Sequence, residues 1–290
     1  MTSPRKTVLI TGCSTGGIGA GMAEAFHQAG FQVFATVRNP AKASQSLTTA
    51  PHVTLLTLDV LSQDSIEAAV TRVSTETGGR LDVLVNNSGQ NFIMPGLDTD
   101  LDDARKLFNL NLFAPLAVLQ AFAPLLIQAR GTVVHQASAA GHLPMPFMSM
   151  YNSSKSALIM ASEIWRRELE PLGVRSLTLI TTSVKTSAFE HTEMPKIPEM
   201  SYYYVIREYI YGMADGRLQE GAPDPLTYGH QVVKAIQKGT TGEMWIGKDA
   251  AVNHLAWKLL PSSIFDSMME GFLKVSSEMA KVSQALKTRK

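Results

Sequence analysis

The chain has 290 residues, a formal net charge of +1 and an apolar content of 45%. That length admits one large domain or two small ones, and the near-neutral balance offers no electrostatic footprint for nucleic acid. A single cysteine, Cys13, excludes an internal disulfide framework and fits a reducing, cytoplasmic setting.

The first residues run directly into a strand pattern, 7–12 (TVLITG), so no secretory leader is expected. A helix is predicted over 17–29, ending at Gly30, and a strand over 31–37. After a Pro/Ala/Ser segment comes a strand over 53–60, then a helix over 63–77 with Ser62 as its N-cap. Residues 81–89 read as a strand ending in turn residues, 101–129 as one long helix, and 131–138 as a strand. A helix over about 150–170 precedes a strand over 174–181. Strand and helix alternate throughout, which predicts an α/β fold: a Rossmann-type, doubly wound parallel sheet covered on both faces. The alternation weakens after Thr186. Residues 187–226 are rich in Pro, Tyr and Met, and a helix (227–238) and a strand (243–247) follow. From 250 the chain reads as two amphipathic helices broken at Pro261. The expected organisation is a sheet domain over 1–249, with 187–226 inserted, and a C-terminal helical extension over 250–290. No run of eighteen apolar residues stands out as a membrane span.

Two places carry chemistry. In ITGCSTGGIGAG, between the first strand and the first helix, glycines allow a phosphate to approach the backbone, and the helix start supplies N–H donors. Gly12, Ser14, Thr15, Gly17, Ile18 and Gly19 are the candidate contacts. The second strand ends in Val37 and Arg38, with no carboxylate to repel a 2′-phosphate. Arg38 brings a planar fork suited to one, so NADP(H) is expected over NAD(H). In SMYNSSKSAL, Tyr151 and Lys155 lie four apart, on one helical face. A neighbouring ammonium should make the phenol ionise more easily. Ser138 closes the strand before them, where open sheets place their ligands, and Asn111 could relay protons through water to Lys155.

On these motifs the chain resembles the short-chain dehydrogenase/reductase family over roughly residues 7–186. The resemblance implies hydride transfer from the nicotinamide C4. It assigns catalysis to Asn111, Ser138, Tyr151 and Lys155, and gives Tyr151 and Lys155 a share in cofactor binding. It places Asp59 and Val60 at the adenine and reads NNSG as the family's NNAG, with Asn87, Ser88 and Gly89 at the cofactor. Val184 and Thr186 would contact the nicotinamide amide. Two departures stand out: an extra residue among the loop glycines, and TTSVKT (181–186) where the family has a Pro-Gly pair. The lengthened loop, FATVRNP and the WIG strand are similar to a fungal subgroup of acyl-dihydroxyacetone-phosphate reductases and biosynthetic ketoreductases.

The expected activity is reduction of a carbonyl, or oxidation of an alcohol, on an apolar or bulky small molecule. A cyclase or isomerase using the cofactor as scaffold, and a cofactor sensor without turnover, are the alternatives; the intact Ser138–Tyr151–Lys155 set argues against the sensor. Residues 187–226 form a substrate lid by resemblance or a plain pair of packed helices. Asn91, Phe92 and Met94 could line another wall of the pocket. The tail's stripe of Trp257, Leu260, Ile264, Phe265, Met268 and Leu273 could dock on the chain's own core, cover the pocket or meet another subunit. Its weakly basic polar face counts against a membrane surface. By resemblance the long helices mediate a homo-oligomer, a dimer or tetramer. The histidines show no metal-ligand spacing, so no metal is expected.

Overall fold

The structure is a computed structural model and describes residues 5–187, 194–216 and 219–288. Its described strands are β1 (Thr7–Ile10), β2 (Gln32–Val37), β3 (Val53–Thr57), β4 (Val83–Asn86), β5 (Thr132–Gln136), β6 (Arg175–Thr181) and β7 (Gly242–Ile246). All are parallel, in the order β3-β2-β1-β4-β5-β6-β7. The order reverses between β1 and β4, and that switch point opens a crevice at the strands' C-terminal ends.

Successive strand residues face opposite layers, and both layers are apolar. Val8 and Ile10 of β1 pack into one core, while Leu9 between them packs into the other. The first core is closed by α1 (Ile18–Gln28), the short α2 (Gln45–Thr49) and a later helix that fills it with Tyr228 and Val232. The second is closed by α3 (Gln63–Thr77), whose N-cap Ser62 accepts from the Ser65 N–H, and by the helix carrying Val118 and Phe122. That long helix is not uniform. It comprises α4 (Leu101–Phe108), a π-helical stretch Asn109–Phe113 and α5 (Ala114–Ala129). By length and composition the whole 29-residue element, with a mean hydropathy of 1.9 over its most apolar window, could cross a bilayer. Here Val118, Phe122, Leu125 and Leu126 are buried against the sheet.

The remaining helices are α6 (Ser149–Leu169), α7 (Arg207–Ala214), α8 (Pro225–Gln237), α9 (Ala250–Leu259), α10 (Ser262–Leu273) and α11 (Val275–Thr288). The tail therefore holds three helices, not two. Besides the break at Pro261, the chain turns at Lys274, which takes a left-handed φ of 54°. α11 folds back so that Met279 and Val282 join Ile206, Ile210 and Met213 of the 187–226 segment. The Tyr209 hydroxyl donates to the carbonyl of Leu273, fixing α7 to the same tail. Phe265 and Leu273 are buried, whereas Leu260, Ile264 and Met268 stay exposed.

Candidate active site

The loop from β1 to α1 is held on both flanks. On one side the Thr11 hydroxyl accepts from the N–H groups of Asn87 and Ser88, each at 2.9 Å. The Asn87 amide in turn donates to the carbonyls of Thr11 (2.7 Å) and Gly12 (3.1 Å). On the other side the N–H and hydroxyl of Thr15 both donate to the Lys42 carbonyl at 2.9 Å. Ser14 bridges to Ala43, and the Cys13 N–H donates to Thr36. Burial pushes the Cys13 thiol up to about 12, so it is a core group and not a nucleophile.

Gly19 is required by space. A Cβ there would run into the Gly12 carbonyl and stand 2.6 Å from the Asn87 amide nitrogen. Gly19→Ala should therefore lower the melting temperature by about 5 °C and weaken dinucleotide binding about tenfold. Gly271→Ala, with open space around it, is the control in the same thermal and titration measurements. Equal behaviour of the two variants would remove the argument.

The start of α1 has no side-chain cap at Gly17 and no acidic residue in its first turn. Its free N–H donors and positive dipole end face the crevice beside the glycine cradle, a fit for a dinucleotide's pyrophosphate. Ile18 packs its side chain on the first core and leaves its backbone to the loop. Arg38 follows the last residue of β2, is exposed and makes no hydrogen bond or ion pair among the described contacts. After β3 the Asp59 carboxylate accepts from the Leu61 N–H at 3.0 Å, which fixes the turn, and Val60 is buried in the second core. Asn87, Ser88 and Gly89 follow β4, and Ser138 follows β5. Val184, buried, and Thr186 follow β6. The predicted cofactor residues thus share one edge, the C-terminal ends of β1 to β6.

Four side chains converge at that edge. The Ser138 hydroxyl accepts from the Ala140 N–H at 3.2 Å and lies beside the Tyr151 phenol, whose ionisation it favours. Lys155 is 5% exposed; its Nζ donates to the main-chain carbonyl of Gln136 at 2.9 Å and lies 5.9 Å from the Tyr151 ring centroid. Asn111 sits at the centre of the π-helical stretch and is fully buried. Its Oδ1 accepts from the Gln90 N–H (2.9 Å), and its Nδ2 donates to the Gln90 carbonyl (3.0 Å) and the Ser154 hydroxyl (3.1 Å). Asn111 and Lys155 share the space over Gly89, where a Cβ would lie 3.2 Å from Asn111 Oδ1 and 3.4 Å from Lys155 Nζ.

The protonation pattern differs from the expectation in one respect. Burial pushes the Tyr151 phenol above its ordinary value, and the neighbouring Ser138 hydroxyl only partly offsets it. Burial outweighs the neighbouring ammonium: it also draws Lys155 down, to about 8, so this dry corner disfavours charge on both groups. At neutral pH the pair is a neutral phenol beside a mostly charged lysine.

The walls near Tyr151 are apolar and aromatic, with Ile93, Met94, Met145, Phe147, Met148 and Tyr203 in one cluster. The Met94 N–H donates to the Phe147 carbonyl at 2.7 Å and holds that wall. A separate cavity of about 710 Å³ opens between residues 194–199 and α7, lined by Ile197, Tyr204, Arg207 and Tyr211 among others. Its lining does not include Tyr151. Part of the predicted lid, 188–193 and 217–218, lies outside the described residues.

Several contacts had no signal in the sequence. Ser187 donates from its N–H to the Gly16 carbonyl (3.1 Å) and from its hydroxyl to Thr15 (3.0 Å), closing the 184–187 stretch onto the glycine loop. The Gln219 side chain accepts from the Thr186 N–H at 3.0 Å and donates to the Thr186 hydroxyl at 3.2 Å.

Residues 6–196 match the profile of the short chain dehydrogenase family. Short-chain dehydrogenase ptmH of Penicillium ochrochloron is 40% identical over 90% of this chain and 96% of its own length. The NADPH-dependent 1-acyldihydroxyacetone phosphate reductase of Schizosaccharomyces pombe is 39% identical over 71% of this chain and 70% of its own. Among solved structures, a short-chain dehydrogenase from Streptomyces avermitilis superposes with a TM-score of 0.74 at 26% identity, covering 98% of this chain and 99% of that one. A short chain dehydrogenase from Burkholderia cenocepacia in complex with NADP shares the fold, with a TM-score of 0.68 at 22% identity, covering 93% of this chain and 98% of its own.

Proposed function

The chain belongs to the short-chain dehydrogenase family, an oxidoreductase family, and on that premise we propose that it is an NADPH-dependent ketoreductase acting on a carbonyl of an apolar, bulky small molecule. The observation that carries this reading is a neutral, buried phenol at the strand ends, beside the Ser138 hydroxyl and a buried ammonium. A general acid must hold its proton until the transition state, and burial keeps Tyr151 in that form.

The reduced nicotinamide, when bound, supplies the hydride. Tyr151 donates its proton to the carbonyl oxygen, and Ser138 orients and polarises that oxygen. Lys155 places positive charge next to the developing alkoxide and would hold the ribose hydroxyls. Asn111 fixes the Gln90 backbone and the Ser154 hydroxyl, and so the floor on which Lys155 lies. The Met- and Tyr-lined walls exclude water and suit an apolar substrate. The fission yeast relative, named for NADPH and for an acyl-bearing ketone phosphate, agrees with this chemistry. Exposed Phe113, Met160 and Ile164 on the long helices support a homo-oligomer.

The choice of NADPH over NADH rests on Arg38. Arg38→Ala should raise KM for NADPH about tenfold or more, the worth of one charge-assisted contact, and leave KM for NADH within about twofold. Steady-state kinetics with a responsive ketone and each dinucleotide measures both. A parallel change in the two would refute a phosphate-reading role.

A further inference from the structure

Gln136 of β5, Thr181 of β6 and Tyr228 of α8 are buried polar residues brought together from three elements. Gln136 Nε2 donates to the Thr181 hydroxyl at 2.6 Å, and the Tyr228 hydroxyl donates to Gln136 Oε1 at 3.1 Å. The hydroxyls of Thr181 and Tyr228 are 2.6 Å apart. The phenol has one proton, already committed to Gln136, so Thr181 must donate to the phenol oxygen. The three bonds form a closed ring in which each hydroxyl both donates and accepts. Tyr228 is fully buried, and burial raises its pKa, so it remains a neutral donor.

Two functional strand ends meet at this ring. The main-chain carbonyl of Gln136 receives the ammonium of Lys155. Thr181 is the last residue of β6, from which the stretch bearing Val184 and Thr186 departs. An apolar trio could fill the same volume, but only a fully satisfied polar ring fixes the three elements in one arrangement.

We propose that the Gln136–Thr181–Tyr228 ring is a positioning device for Lys155, acting through the Gln136 main chain to hold the ammonium at its working place beside Tyr151. The proposal rests on the reading of Lys155 as an active-site cation. The groups facing Lys155 are the Gln136 carbonyl from β5, Asn111 from the π-helical stretch, Gly89 after β4 and Tyr151 on its own helix. Of these only Tyr151 titrates, and it stays protonated through the range in which Lys155 changes charge. Moving the carbonyl away leaves the buried ammonium less supported, so its midpoint must fall.

The test compares Tyr228→Phe, Thr181→Ser and the triple replacement Gln136→Leu with Thr181→Val and Tyr228→Phe. The single phenylalanine leaves two buried groups unpaired and should cost stability; the triple removes the ring without orphans and should unfold close to wild type. The Lys155 midpoint is read from the ¹³Cε signals of ¹³C-lysine-labelled full-length protein without dinucleotide, assigned with Lys155→Arg. Wild type and Thr181→Ser should titrate near 8. The triple variant should titrate about one unit lower and lose about tenfold in kcat with a smaller change in KM. A folded triple variant with an unshifted Lys155 titration and wild-type kcat would overturn the proposal. The titration is read in the protein alone, so it stands or falls separately from the ketoreductase reading, which Tyr151→Phe tests.

Discussion

Tyr151→Phe should lower kcat for ketone-dependent NADPH oxidation by roughly 10³-fold, while NADPH affinity by fluorescence titration changes less than about twofold. The substitution is nearly isosteric. The ring packs in the cluster with Phe147 and Tyr203, and those contacts remain. What disappears is the hydroxyl beside Ser138 and the proton it holds. Lys155 keeps its anchor on the Gln136 carbonyl, so the charge beside the reacting oxygen is retained. The loss should therefore fall on the chemical step, with little in binding. A variant that kept its turnover within about tenfold would exclude Tyr151 as the proton donor and would transfer the problem to Ser138.

Below pH 6.5 the fold should weaken, and His135 should account for a separable part of the loss. This residue lies in β5, fully buried, with its ring 5.2 Å from that of Trp165 and, among the described residues, no hydrogen-bond partner on either nitrogen. Burial depresses its pKa from 6.5 to about 3. The unfolded chain therefore binds a proton between those values that the folded chain refuses. The contribution is fully present above pH 6.5 and is lost as pH falls toward 3, reaching about 3 kcal/mol by pH 4. His135→Leu should remove this share of the slope and, by eliminating two unpaired buried polar atoms, add about 1 kcal/mol at pH 7. Denaturant unfolding of both proteins at pH 7, 5.5 and 4 gives the difference. Curves that fall in parallel with acid would show that His135 finds a partner or water in solution.

The strands were legible because both faces of this sheet are apolar, so runs such as 31–37 announce themselves. Their ends were not. The predicted 7–12, 53–60 and 81–89 overshoot the ladders, which stop at Ile10, Thr57 and Asn86. Past those points Thr11, Asp59 and Asn87 turn their polar groups to one another and to neighbouring backbone, and local composition does not report that exchange. The turn at Lys274 was invisible for a related reason: neither glycine nor proline marks it.

The same limit applies at the site. The i, i+4 spacing placed Tyr151 and Lys155 on one face, and the flanking motifs located Ser138 and Asn111. Their electrostatics depended on depth, which spacing does not encode, and the sign of the effect on the phenol came out reversed. Gln136, Thr181 and Tyr228 are separated by 45 and 47 positions and belong to no pattern. Only the strand order and the placement of α8 bring them together.

The widened turn at Asn109–Phe113 has a consequence for how this chain can vary. It stores one residue more than a regular helix of the same rise would hold, and that surplus swings Asn111 inward while the apolar stripe of α5 stays on the sheet and Ala104 and Leu107 of α4 stay buried. A lineage that deleted a single position there would straighten the rod and rotate one half against the other by about 100°. It could keep the amide in the crevice or the α5 seam on the sheet, but not both, so length in this segment is constrained as tightly as chemistry.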